Sequence, residues 1–226
     1  MPIFEKLTPR LLFVAASFAA AAWVFFEVAG EVQEGETRAF DQWLMLSLRA
    51  SDNPSVPLGP PWLESAARDI TSLGSQTVIG LVVVIATVFL VLAQRQRSAL
   101  FVLVSSVSGT AMVFVLKELF NRPRPELFPH GDMVLSASFP SGHAMVSALV
   151  YLTLGAMLAR LAQSTLLKCY ILAAAVLLTL LIGCSRVYLG VHWPTDVLAG
   201  WAGGTAWALA WWGVAELNAN ARTPDP

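Results

Sequence analysis

Charge is scarce in this chain. Only 13% of its 226 residues are Asp, Glu, Lys or Arg, against roughly 25% in soluble domains. With 56% hydrophobic residues and a mean hydropathy of +0.65, soluble globular and disordered chains are both excluded. Nor is there an excess of either sign: 14 Lys and Arg face 15 Asp and Glu, a formal net charge of -1. That leaves no basic field of the kind a nucleic-acid partner requires. Cysteine is nearly absent. Cys169 and Cys184 share one apolar run, and on a single helix they would stand about 22 Å apart, beyond disulfide reach. No CxxC or HExxH occurs and the three histidines are scattered, so no metal site or cofactor is expected. Internal repeats, low-complexity tracts and linkers are missing too, which makes residues 1–226 one domain.

What the chain has in plenty is long apolar runs. Six can be read, at about Leu11 to Ala29, Leu73 to Ala93, Ser98 to Leu119, His143 to Leu161, Cys169 to Gly183 and Pro194 to Leu217. About 20 apolar residues suffice for one crossing of a bilayer. The expected fold is therefore all-α, a six-span transmembrane helical bundle, with the short fifth run borrowing residues from its flanks. The first run exceeds the apolar core of a signal peptide and ends in no convincing small-x-small site, so it is expected to be a retained anchor. Gly200 and Gly204 form a GxxxG spacing suited to close helix packing.

Basic residues of the short connections set the expected orientation. With six crossings, Lys6, Arg10, Arg95, Arg97, Arg160, Lys168 and Arg222 fall on one side, and the positive-inside rule makes that side cytoplasmic. Both termini are then inside, and the setting expected is a bacterial plasma membrane. Residues 30–72 form an acidic external connection in which Phe40, Trp43, Leu44 and Leu48 recur at helical spacing. This fits an amphipathic external helix lying on the outer leaflet, a cap over the site, or both. Pro54 to Pro61 reads as a turn between two short helices. Trp193 at one end of the last span and Trp211 and Trp212 at the other stand where interfacial anchors are expected.

Ionisable groups at membrane depth are costly, so a cluster of them at one level points to a site. On this topology Lys117, Arg124, Ser141, Gly142, His143, Arg186, His192 and Asp196 all converge on the external side. Lys117, Arg124 and Arg186 bring three cations, two of them planar forks suited to phosphate oxygens. Ser141 and Gly142 open a helix, so their N–H groups, the Ser141 hydroxyl and the helix dipole can face an anion. The four-residue spacing of His192 and Asp196 lets the carboxylate hold one ring nitrogen and leave the other as a nucleophile. His143 can then protonate a leaving oxygen. His130 reads as a solvated loop histidine, and Arg122 as a surface charge or at most a substrate contact.

The blocks Lys117-x6-Arg124-Pro125, Pro140-Ser141-Gly142-His143 and Ser185-Arg186-x5-His192-x3-Asp196 resemble the signature of the type 2 phosphatidic acid phosphatase (PAP2) superfamily, integral-membrane branch. The resemblance implies metal-independent hydrolysis of a lipid-linked phosphate or pyrophosphate through a phosphohistidine. His192 would be the nucleophile, Asp196 its orienting partner and His143 the acid. Lys117, Arg124, Ser141, Gly142 and Arg186 would bind phosphoryl oxygens. The implied partners are the bilayer and a lipid phosphate such as undecaprenyl pyrophosphate, phosphatidylglycerol phosphate or phosphatidic acid, with no obligate protein partner evident. Two alternatives remain open at this level. A lipid phosphotransferase would differ in its products when an acceptor lipid is present, and a non-catalytic lipid-phosphate binder or transporter would bind without turnover.

Overall fold

The computed structural model describes residues 9–127 and 136–220. Lys6, His130 and Arg222, used above, lie outside the described residues. Among the described residues eight helices follow one another: α1 (Pro9–Glu34), α2 (Arg38–Ser47), α3 (Pro61–Ser72), α4 (Gln76–Leu92), α5 (Gln96–Phe120), α6 (Gly142–Leu161), α7 (Thr165–Tyr188) and α8 (Pro194–Asn220). No strand forms among them; the one extended contact is an isolated bridge between Arg49 and Pro57. The architecture is all-α, as the apolar runs imply.

Local chemistry marks the helix ends. Ser75 and Ser164 each turn a hydroxyl back to accept an N–H in the first turn of α4 and α7, from Val78 and Leu167 at 3.2 Å, as N-caps do. Pro61 and Pro194 open α3 and α8, where a missing N–H costs nothing. At the far end of α5, Asn121 takes up the left-handed conformation with φ 40°, a habit of Asn at helix ends.

Four helices, α1, α5, α6 and α7, are long and apolar enough to cross a membrane. The pair α3 and α4, bent by 46°, makes a fifth candidate. The described residues therefore give four or five such helices against the six expected, and two physical reasons account for the difference. α4 alone has 17 residues, about 25 Å at 1.5 Å per residue, short of the roughly 30 Å hydrocarbon core. α8 is long, at 27 residues, but Trp201, Trp207, Trp211 and Trp212 and its glycines dilute its hydropathy. The fifth apolar run does borrow from its flanks: α7 has 24 residues.

Outward faces are apolar. On α4, Leu81, Val84, Ile85, Val88 and Phe89 are exposed, as are Leu166, Tyr170 and Leu177 on α7. Continuous exposed apolar surface of this kind belongs against lipid rather than water. The chain is an integral membrane protein.

The centre of the bundle is the pair α6 and α8, with α1 packed on α8 and α7 on α6. Gly200 and Gly204 set that pair's spacing. A Cβ at Gly200 would stand 2.8 Å from the Ser141 carbonyl and 2.8 Å from the Ala144 Cβ; one at Gly204 would stand 2.2 Å from the Met145 carbonyl. No side chain fits there, so the two helices touch through their backbones at the end where α6 begins. Gly204→Val should therefore lower the thermal midpoint in detergent. Overpacking commonly costs about 1 to 3 kcal/mol, and a backbone neighbour that cannot turn aside puts this site at the upper end. Gly80→Ala, where an added Cβ meets nothing within 4 Å, should leave the midpoint almost unchanged.

Candidate active site

Four helix ends meet at one end of the bundle: the C-terminal ends of α5 and α7 and the N-terminal ends of α6 and α8. The segment 136–141 reaches them over a plug, Phe139, which is fully buried and packs on Phe120 at 4.6 Å and Phe25 at 6.0 Å between centroids. Lys117, Arg124, Gly142, His143, Arg186 and His192 line one cavity of about 700 Å³. Six of the eight residues singled out from the sequence therefore share a wall.

The other two lie behind it. Asp196 is fully buried. Its Oδ2 accepts the Trp193 N–H at 3.0 Å and the Ser138 hydroxyl, and faces His192 Nδ1 at 3.4 Å. Ser141 is also fully buried, does not line the cavity, and its N–H donates to the Asp196 carbonyl at 2.9 Å. That N–H is spent on the protein, contrary to the expectation that it faces an anion. The Ser141 hydroxyl is buried without a hydrogen-bond partner among the described residues.

Two ring contacts fix the tautomer of His192. Arg124 Nη1 lies 3.3 Å from its Nε2, and a guanidinium can only donate. Nε2 is therefore the acceptor, and Nδ1 carries the hydrogen toward Asp196. The lone pair faces the cavity side where Arg124 sits. Burial pushes the imidazole down to about 3; the Asp196 carboxylate opposes this, and the Arg124 and Arg186 charges add to it. The ring is neutral near pH 7, the form in which nitrogen is nucleophilic.

Each cation is held by a neighbouring carbonyl or hydroxyl of the chain. Arg124 also donates from Nη1 to the Val191 carbonyl at 2.7 Å and from Nε to the Ser136 carbonyl at 2.8 Å. Lys117 bends inward to the Ala137 carbonyl rather than snorkelling outward, and is buried. Arg186 donates to Thr71 Oγ1 of α3 at 3.1 Å, which ties the bent α3 and α4 pair to the site.

Sequence reasoning missed four residues. Ser138 and Thr195 sit within the signature segment but at unspecified positions, and nothing marks them. Arg122, read as a surface charge, is instead drawn inward: it ion-pairs with Asp196 at 2.5 Å and with Asp41 at 2.7 Å. Asp41 is fully buried on α2 and accepts the Thr195 N–H at 3.0 Å and the Thr195 hydroxyl at 2.8 Å. An Asp among the apolar residues of a helix was the available signal. α2 forms where expected, yet Phe40 and Trp43 point away from the protein while Asp41 and Met45 face it. Trp193 is not an interfacial anchor either. It is buried, and its indole N–H donates to the Pro123 carbonyl at 2.9 Å.

Among the described residues no group of three His, Cys, Asp or Glu side chains is arranged to hold a metal ion. Cys169 and Cys184 are both free and both on α7. At the opposite end of the bundle a cavity of about 540 Å³ is lined by Arg95, Arg97, Arg160 and Trp211, without a histidine or a carboxylate. Its one hydroxyl, Ser98, has no imidazole or carboxylate in that lining to take its proton.

Comparison with known proteins agrees with this arrangement. Residues 98–219 match the PAP2 superfamily. The chain belongs to that superfamily. Phosphatidylglycerophosphatase B of Bacillus subtilis is 34% identical over 156 residues, 68% of this chain and 75% of that protein. An undecaprenyl-diphosphatase of Sulfolobus acidocaldarius is 28% identical over 122 residues, 52% of this chain and 55% of that one. The crystal structure of a transmembrane PAP2 type phosphatidylglycerolphosphate phosphatase from Bacillus subtilis superposes with a TM-score of 0.78 at 27% identity, covering 89% of this chain and 96% of that one. The chain is thus a PAP2-type phosphatase.

For this PAP2 protein, the burial of His192 has a direct readout. In the ligand-free protein, labelled with ¹⁵N-histidine, the His192 ring nitrogens should keep their neutral-form NMR shifts from pH 8 down to about pH 4 and change only near pH 3. Titration near the ordinary value of about 6.5 would mean that the ring is solvated.

Proposed function

We propose that the chain hydrolyses a lipid-linked phosphate or pyrophosphate at the outer face of the membrane, without a metal and through a phosphohistidine. The observation that carries this reading is a single cavity with two chemistries. At one end it has His192, His143, Lys117, Arg124 and Arg186; it continues between α4 and α5 past Ile79, Val83, Val107, Val113 and Phe114. A phosphorylated head group fits the first part and an acyl or prenyl chain the second.

In this reading His192 Nε2 attacks phosphorus while Asp196 holds the Nδ1 hydrogen. The negative charge of the bound phosphate favours the imidazolium form of His143; the bond from phosphorus to the leaving oxygen breaks, and that oxygen takes the extra proton of His143. Water then attacks the phosphohistidine and gives its proton to His143, releasing phosphate and restoring His192. Lys117, Arg124 and Arg186 supply the positive charge that stabilises the equatorial oxygens during both steps. The chain brings these cations itself, which supports turnover without an added ion. Gly142, at the start of α6, adds the favourable end of a helix dipole.

Related proteins named for phosphatidylglycerophosphate and undecaprenyl diphosphate support lipid phosphates or pyrophosphates as the substrate class. Candidates are undecaprenyl pyrophosphate, phosphatidylglycerol phosphate and phosphatidic acid. The outward orientation is supported by Arg95, Arg97, Arg160 and Lys168, which fall at the opposite ends of their helices from the site, as the positive-inside rule asks of a cytoplasmic face. Six crossings with both termini inside follow if α3 with α4, and α8, each cross once. α8 is about 40 Å long at 1.5 Å per residue, enough for that. A bacterial plasma membrane suits all of these features.

Phosphate release from a short-chain phosphatidic acid in detergent should persist in EDTA, be inhibited by vanadate, and fall by about 10⁴-fold or more in His192→Ala, as loss of a nucleophile does elsewhere. Activity that survives the substitution would rule out His192 as the attacking group. The tail groove has its own test. Gly80 lines the cavity and has open space where a side chain would go. Gly80→Phe should raise KM for a long-chain lipid phosphate about tenfold or more, while leaving a short-chain substrate within about twofold, since a ring placed in the groove overpacks against a tail that must lie there, at about 1 to 3 kcal/mol, and misses one too short to reach it. Equal effects on both substrates would place the tail elsewhere.

A further inference from the structure

We propose that Asp41 and Arg122, neither of them a specified residue of the signature, are positioning residues that keep one oxygen of Asp196 free for His192; this rests on the reading of His192 as nucleophile. An arginine beside a lone carboxylate tends to engage both oxygens with its planar fork. Here the fork is divided. Arg122 Nη1 donates to Asp196 Oδ1 at 2.5 Å and to Thr195 Oγ1 at 2.9 Å, while Nη2 donates to Asp41 Oδ2 at 2.7 Å and to Thr37 Oγ1 at 3.2 Å.

Asp41 then closes a ring through Thr195. Its Oδ1 accepts the Thr195 N–H and its Oδ2 accepts the Thr195 hydroxyl, whose remaining acceptor capacity takes Arg122. Each donor is used in keeping with its chemistry. The result fixes the guanidinium between two fully buried carboxylates, with the Arg122 side chain itself 12% exposed. With Oδ1 of Asp196 committed on that side, Oδ2 is left to face Ser138, the Trp193 N–H and His192. The ring also clamps α2 to the first turn of α8, so that a helix whose Phe40 and Trp43 point outward holds the alignment of the site from behind.

Electrostatics gives the device a signature that mere scaffolding would lack. His192 is faced by Asp196 and Ser138 at Nδ1 and by Arg124 at Nε2, with Arg186 of α7, His143 of α6 and Lys117 of α5 around the same cavity. Arg122, with Asp41 behind it, is the charge pressed against the far oxygen of Asp196. Removing it leaves the carboxylate free to stabilise the imidazolium form of His192. The ring should therefore titrate higher in Arg122→Gln, by about one pH unit or more.

The test uses the full chain in detergent with Asp41→Asn, Arg122→Gln and Arg122→Lys. Expected are a kcat on short-chain phosphatidic acid down about tenfold in Asp41→Asn and about a hundredfold in Arg122→Gln, with KM and vanadate affinity within about threefold. Arg122→Lys should recover part of that loss, because an ammonium keeps the charge but not the fork. The His192 ¹⁵N titration should move upward in Arg122→Gln. Folded variants with wild-type kcat would overturn the proposal, as would a kcat loss matched by an equal loss of vanadate affinity with an unmoved titration. If the charged-site variants do not fold, Thr195→Ala, which opens the ring without removing a charge, must lower kcat with vanadate affinity kept; wild-type kcat there would also overturn it. A wild-type protein that binds vanadate but releases no phosphate would sink the hydrolase reading alone, and the titration in Arg122→Gln would still decide the positioning role.

Discussion

A carboxylate at zero exposure is among the most expensive groups a protein can bury, because an ion removed from water loses several kcal/mol of solvation that only close, well-made contacts can offset. Asp196 has those contacts on every side. One oxygen meets Arg122; the other meets Ser138, the Trp193 N–H and the His192 ring; and the residue's own carbonyl takes the Ser141 N–H. Three chain segments, 122–127, 136–141 and, much later in the sequence, 189–196, are thereby pinned to one point. The arrangement can exist only if all three arrive together, since a buried pair that loses one partner leaves an uncompensated charge costing about 3 to 5 kcal/mol. Alignment of Asp196 with His192 and folding of this end of the bundle are therefore one and the same constraint.

Backbone contact supplies the precision that this constraint needs. Gly200 and Gly204 let α8 lie directly on α6, with the Ser141 and Met145 carbonyls in the space that side chains would fill. Asp196, one turn before Gly200 on α8, is set against Ser141 and Gly142 at the start of α6 by that contact. In lipid, where helices gain little from hydrophobic burial against each other, close packing of small residues is a main source of affinity. The same glycines that hold the bundle together thus set the depth at which the carboxylate meets the histidine. On the other flank, Phe139 seated among Phe25 and Phe120 fixes the loop that carries Ser138.

Much of this was legible in the sequence, and what was not has identifiable causes. Lys117, Arg124, His143, Arg186 and His192 could be read because charge is rare here and each sits at the end of an apolar run, so position alone gave them a common level. Ser138, Thr195 and Asp41 could not, because their parts depend on which hydrogen bonds close in three dimensions, and a Ser or a Thr has no distinctive spacing. Arg122 was misread by its neighbours: in a row of arginines and prolines it resembles a solvated charge until Asp41 arrives from residues 81 positions earlier. Trp193 was misread by analogy with interfacial aromatics, although its position just before Pro194 puts it inside the turn. Ser141 was credited with an N–H that α8 already uses. α8 is long enough for a span but falls below the hydropathy of one, because its tryptophans and glycines dilute its apolar residues; Arg160 lies 3.9 Å over the Trp212 ring at the far end.

The cavity's shape then connects the site to its setting. A soluble phosphate ester needs only the cationic end, and a cavity closed on all other sides would serve it best. Here the cavity runs on from the cations between α4 and α5, whose outward faces are themselves apolar and exposed. Although Gln76, Thr77, Ser106 and Thr110 also line that groove, most of its wall is apolar, and a hydrocarbon chain entering it leaves one apolar medium for another at little cost. If the substrate is the lipid phosphate proposed above, its affinity must come mainly from the head group, for which Arg124 and Lys117 are already held by carbonyls of the chain. Such a division favours a site that reads the phosphate strictly and the tail loosely, so that differences among lipid phosphates are set by what joins the two, at the level of α3 and the first turn of α4, where Thr71 already holds Arg186.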